Sequence, residues 1–169
     1  MPALLLLVLL TGAADAQKKT RRKTVTKKPL VTKTTIPPLD VRAAREKVDV
    51  QLSNVNGFVN KLGTIAQGLE IADGDAKSGR LKPATAAKIE GKKKEIVEAI
   101  RNIKDGLSSL ESEFRTKTAL QKYLPSIQGI TDLAAQSEDL AITGKFVAAK
   151  DPLRNISKKL TDTLAVLPR

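Results

Sequence analysis

The chain has 169 residues, 41% of them hydrophobic, and a formal net charge of +12. That is enough for one domain with its own core plus a segment outside it. It contains no Cys and no His, which removes disulfides, the usual zinc, copper and haem ligands, and the Ser-His and Cys-His nucleophile pairs. No cofactor, metal site or catalytic residue is therefore expected. Aromatic residues are confined to Phe58, Phe114, Tyr123 and Phe146, so Ala, Leu, Ile and Val must build the core.

Residues 3–14 (ALLLLVLLTGAA) form an apolar run of the length of a signal-peptide core, and Ala14 and Ala16 place small residues at the −3 and −1 positions of a cleavage site. Residues 1–16 are read as a signal peptide cleaved after Ala16, which predicts a secreted or periplasmic product. The run is short of the ~20 residues that span a bilayer. The positive charges follow the run instead of preceding it, which opposes translocation of the next segment. Either a basic n-region is missing upstream or the host tolerates the pattern.

Residues 17–39 hold eight Lys/Arg, six Thr, three Pro and no acid. This composition predicts a disordered basic linker. From Asp40 onward there are 22 Lys/Arg and 17 Asp/Glu, a net of +5, whereas the linker alone carries +8. Lys18, Lys19, Arg21, Arg22, Lys23, Lys27, Lys28 and Lys33 are the candidate contacts to a polyanion or an anionic membrane surface, through counterion release. A plain solubilising linker, or a propeptide cut at its dibasic pairs, is the alternative. Sequence-specific nucleic-acid recognition is not expected, because aromatics for base stacking are nearly absent.

Residues 40–169 are predicted to form an antiparallel up-and-down bundle of four long helices. The first runs from about Asp40, placed as N-cap, to Ala72. Val41, Val48, Val55, Leu62 and Leu69 recur every seven residues in it, with Ala44, Leu52, Phe58/Val59 and Ile65/Ala66 between them. The apolar register carries through Gly57, Gly63 and Gly68, with a bend allowed near Asn56-Gly57.

Residues 73–82 are predicted as a polar loop. Asp73-Gly74-Asp75 has the opening of a calcium loop, but Ser78 and Ala84 stand where that loop needs Gly and Glu, so a plain turn is expected. The second helix runs from Pro83 to about Arg115, with Ile89, Ile96, Ile100, Ile103, Leu107, Leu110 and Phe114 on its buried face. Lys93 interrupts that stripe and is expected to snorkel, its ammonium in water; a buried functional amine is the other reading.

The third helix is placed at about 117–142, kinked or divided at Pro125 with its main segment starting there. Gly144 supplies the reversal. The fourth runs from about Lys145 to Val166, with Asp151-Pro152 as a kink or restart. The kinked pair must match the ~50 Å of the first two helices. Heptads of this regularity also suit a coiled-coil dimer.

These features favour an exported, non-catalytic binding or scaffolding module whose tail holds it near anionic polymers. The alternative is a carrier of an apolar ligand between the helices. In helix count, length and lack of cysteine the pattern is similar to small secreted fungal hydrophobic-surface and fatty-acid-binding proteins, a similarity that implies such a carrier. An enzyme would need paired carboxylates. Glu111/Glu113 and Glu138/Asp139 stand at spacings that do not converge on one point of a helix, so surface charge is the expectation for them. Asn155-Ile156-Ser157 is an N-glycosylation sequon on the last helix, with Asn155 expected to be partly exposed.

Overall fold

The computed structural model describes residues 37–169. The expected signal peptide and linker lie outside the described residues, apart from Pro37, Pro38 and Leu39. Six helices follow in order: α1 (Leu39–Lys77), α2 (Pro83–Thr116), α3 (Thr118–Gln121), α4 (Leu124–Ile127), α5 (Ile130–Ile142) and α6 (Phe146–Val166). No strand occurs among the described residues.

Four of these helices close a ring in which each packs on its neighbours in sequence and α6 returns to α1. Every seam is antiparallel. Along α1 and α6, Arg45 reaches Leu164 and Leu167, Asn56 meets Ser157, and Glu70 meets Val147. Lys47 pairs with Glu113 and Asp73 with Lys93 across α1 and α2. Glu111 meets Thr131 and Arg101 meets Glu138 across α2 and α5, while the Ser137 hydroxyl donates to the Ala149 carbonyl across α5 and α6. This is the up-and-down four-helix bundle, with α3 and α4 folded over one end.

Heptad spacing decides what is buried. Val41, Val48, Val55, Leu62 and Leu69 all lie in the core, with Ile96, Ile100, Leu107, Leu110 and Phe114 from α2. Leu153, Ile156 and Leu160 of α6 complete the centre, and Phe146 and Leu120 close opposite ends. Such burial contributes roughly 1.5–3 kcal/mol per large side chain. Ile65 departs from its expected place and is exposed.

Element ends differ from expectation in several places. Asp40 is not the N-cap: α1 begins after Pro38, and Asp40 lies in the first turn, where its charge suits the helix dipole. Helix α1 does not stop at Ala72 but continues to Lys77. It ends at Gly79, whose φ of 72° permits the Schellman pair Gly79 N–H to Ala76 and Arg80 N–H to Asp75. Gly144, at φ 79°, closes α5 in the same way, with Lys145 N–H bonded to Leu140.

The third long helix is three pieces. Pro125 sits in the first turn of α4, but the main segment starts only at Ile130, after Gly129 at φ 86°. Asp151-Pro152 does not restart α6. The helix runs through Pro152, whose ring is buried, and packing of that ring offsets the missing N–H.

The lengths do not match either. The backbone N–H of Val147 donates to Glu70, and the Cβ that an alanine would carry at Gly144 would stand 3.3 Å from Asp73 Oδ2. The α5–α6 turn is therefore level with residues 70–73 of α1. Residues 74–92 project beyond it as a two-helix overhang, and none of them is buried.

Candidate functional site

Two kinds of feature were candidates for function: ionisable groups drawn into the fold, and grooves between helices. Glu111 is 4% exposed, contrary to the expectation of surface charge. Its carboxylate accepts hydrogen bonds from Gly129 N–H (3.0 Å), Thr131 N–H (3.2 Å), the Thr131 hydroxyl (2.8 Å) and Arg115 (2.6 Å). It thus caps the N-terminus of α5 from a neighbouring helix. Burial pushes this carboxyl upward. The donors from Gly129, Arg115 and Thr131 outweigh it and hold the group at about 2, against an ordinary 4.5.

Glu138 is 7% exposed and is likewise not surface charge. It pairs with Lys104 and Arg101 of α2, and Lys104 first, then Arg101, hold it below the ordinary carboxylate range against its burial. Glu113 is lowered in the same sense by Lys47 and then Lys117. Asp139, the other half of one candidate pair, is exposed. As their spacing implied, neither pair converges.

Lys93 does not simply snorkel into water. Its ammonium lies 2.9 Å from both Asp73 and Glu90. Asp73, then Glu90, raise it above its usual value despite partial burial, and Asp73 is lowered in return by Lys77 and Lys93. Asp73 and Asp75 are helical and engaged with Lys77, Lys93 and Arg80. No group of three potential metal ligands occurs among the described residues.

The helix ends reveal what these charges do. Among the described residues, no helix is capped by a side chain of its own N-cap residue. Instead Glu111 serves the N-terminus of α5 and Glu70 that of α6, by accepting from Val147 N–H at 2.7 Å. Arg45 donates to the Leu164 and Leu167 carbonyls at the other end of α6, at 2.8 and 2.7 Å. Each sign opposes the helix dipole it meets. The capping roles of Arg45, Glu70 and Glu111 leave no local signal in the sequence, because each partner lies more than one helix away; Glu111 stood out only as a candidate carboxylate.

A groove with apolar and charged lining runs between α1 and α2. It has a volume of about 490 Å³, and its lining includes the apolar Ala43, Val50 and Leu110 and the charged Glu46, Lys47 and Glu113. Val50 is 56% exposed. Gly106 lets Gln51 lie across the seam: an added Cβ would stand 2.9 Å from Gln51 Nε2.

No family model, curated protein or solved structure matches the chain. Its chemistry must be argued from its own residues. The eight basic residues of the linker, Lys18 to Lys33, lie outside the described residues. Asn155 is exposed on α6, while Ser157 of its sequon donates to Asn56 Oδ1 at 2.6 Å. No described helix is long and apolar enough to cross a membrane.

Proposed function

We infer that the protein is an exported, non-catalytic binding or scaffolding module. Its bundle offers a rigid surface, and its basic tail holds it near anionic cell-surface or extracellular polymers. One observation carries the non-catalytic part of this reading. The charged groups drawn into the fold are engaged in capping and pairing, and their protonation equilibria are moved away from neutrality, not toward it. A general acid or base needs the opposite shift.

The tail reading stands on charge: +8 within residues 17–39 against +5 for everything after them. Deleting residues 17–36 should release the protein from the cell surface and abolish the salt sensitivity of whatever retention remains. Retention that keeps its strength and its salt dependence would refute this reading.

The second reading, an apolar-ligand carrier, draws on the α1–α2 groove. Val50, Ala43 and Leu110 would form the floor of an opening if these two helices parted. Organic extraction of the purified protein is expected to yield a stoichiometric lipid if the carrier reading is right, and none if the bundle is a scaffold.

A further inference from the structure

The positive charge of the folded region is concentrated at one end. Between Asp73 and Lys94 stand seven Lys/Arg and three Asp/Glu, a net of +4. The other residues of 37–169 contribute only +1 of the +5 total. Most of this stretch, residues 74–92 with five Lys/Arg and two Asp/Glu, is the overhanging α1–α2 hairpin, which at 1.5 Å per residue reaches about 10–15 Å past the α5–α6 turn.

The ion pairs of Lys77 and Arg80 are short-range and leave the cations open, whereas Lys93 is 15% exposed and pairs across the two helices with Asp73. Lys77 and Arg80 pair with Asp73 and Asp75, yet their side chains remain 67% and 74% exposed. Lys82 and Lys88 are exposed and make no ion pair among the described residues. The apex reads Arg80-Leu81-Lys82, and Leu81 is partly exposed and outside the core cluster.

A linear polyanion is best held along a groove or a helix face, but here Lys77, Arg80 and Lys82 stand at the turn that ends a two-helix post. That arrangement matches a planar anionic sheet. The leucine at the apex fits the boundary beneath its head groups, where flanking Lys and Arg stems can snorkel. We propose that the α1–α2 hairpin end docks on an anionic lipid bilayer, with Lys77, Arg80 and Lys82 against the head groups and Leu81 at the acyl boundary. The proposal rests on the reading of an anionic partner, but not on the tail.

The test uses the full chain and vesicles of phosphatidylcholine with about one-third phosphatidylserine, at about 0.1 M salt, where screening acts over about 10 Å. Each cation near such a surface contributes about 1 kcal/mol, or about fivefold. The K77Q/R80Q/K82Q variant should therefore lose about a hundredfold in partition coefficient. Leu81→Ser should lose several-fold at unchanged charge, and both variants should keep wild-type circular dichroism.

An unchanged partition coefficient in the triple variant overturns the proposal. So does a triple variant that weakens on vesicles and on heparin alike while Leu81→Ser is neutral, which assigns the end to a soluble polyanion. A parallel variant with Lys18, Lys19, Arg21 and Arg22 changed to Gln separates the two readings. Loss there with none in the hairpin variant removes the hairpin and keeps the tail; the reverse result removes the tail and keeps the hairpin.

Discussion

Replacing Glu111 by Gln tests whether the bundle depends on a charge held inside it. The carboxyl sits at about 2 in the folded state against an ordinary 4.5. At 1.36 kcal/mol per unit this difference stabilises the fold by about 3 kcal/mol at neutral pH. The folded state binds the proton more weakly than the unfolded chain. The contribution is therefore complete above about pH 4.5, falls as acid is added, and is gone below about pH 2. Gln keeps the shape and one acceptor oxygen but loses the charge facing Arg115 and the Gly129 and Thr131 donors, at a cost of about 2–3 kcal/mol near pH 7. Urea unfolding followed by far-ultraviolet circular dichroism measures this directly in the two proteins. Because Asp73, Glu113 and Glu138 titrate in both, the informative quantity is the gap between wild type and variant. It should be full at about pH 7 and close to nothing at about pH 2. A gap of the same size at both ends would refute the assignment of Glu111 as an ionised cap.

Arg45→Ala should cost about 1–2 kcal/mol by freeing the Leu164 and Leu167 carbonyls, and amide exchange should show fraying confined to the last turn of α6. Gly63 has nothing within 4 Å of where a Cβ would stand, so Gly63→Ala should stabilise the bundle by about 0.5–1 kcal/mol in thermal or urea unfolding. Gly144→Ala should do the opposite by about 1–2 kcal/mol, because its φ of 79° is unfavourable for alanine and the new Cβ would stand 3.3 Å from Asp73 Oδ2.

The long-range architecture was legible because it depends on spacing alone. A residue every seventh position returns to the same side of a helix, so Val41 through Leu69 announced their burial without any knowledge of what lay opposite. The ends of elements were less legible. Asp40 and Asp151-Pro152 carry strong local capping signals, yet one lies inside the first turn and the other inside a continuous helix. At Pro152 burial of the ring overrode the local preference, whereas α1 simply begins one residue before Asp40, after Pro38. The break before α5 depended on Gly129 together with a carboxylate from another helix. The acidic candidates were half legible: their spacing excluded a convergent pair, but nothing in the sequence placed Thr131 opposite Glu111 or Lys104 opposite Glu138.

That dependence on neighbours has a consequence for how the fold divides. Where α5 and α6 begin and where α6 ends, the free backbone groups are satisfied by Glu111, Glu70 and Arg45 from other helices. These ends form only when the neighbour is in place, which ties the ring into one cooperative unit. The α1–α2 turn is closed differently. Its Schellman pair at Gly79, the Arg80–Asp75 ion pair and Pro83 at the start of α2 are all local. The overhang can therefore keep its shape without packing against α5 or α6. Arg80 and Lys82 carry no structural duty toward the core, whereas Lys77, which partners the buried Asp73, and the cations beside Glu111 and Glu138 do. Substitutions at Arg80 and Lys82 should accordingly leave the unfolding midpoint unchanged, while Glu138→Ala, which removes the α5 partner of Lys104 and Arg101 across the α2–α5 seam, should lower it. A midpoint that fell equally in both would mean that the overhang is part of the cooperative unit after all.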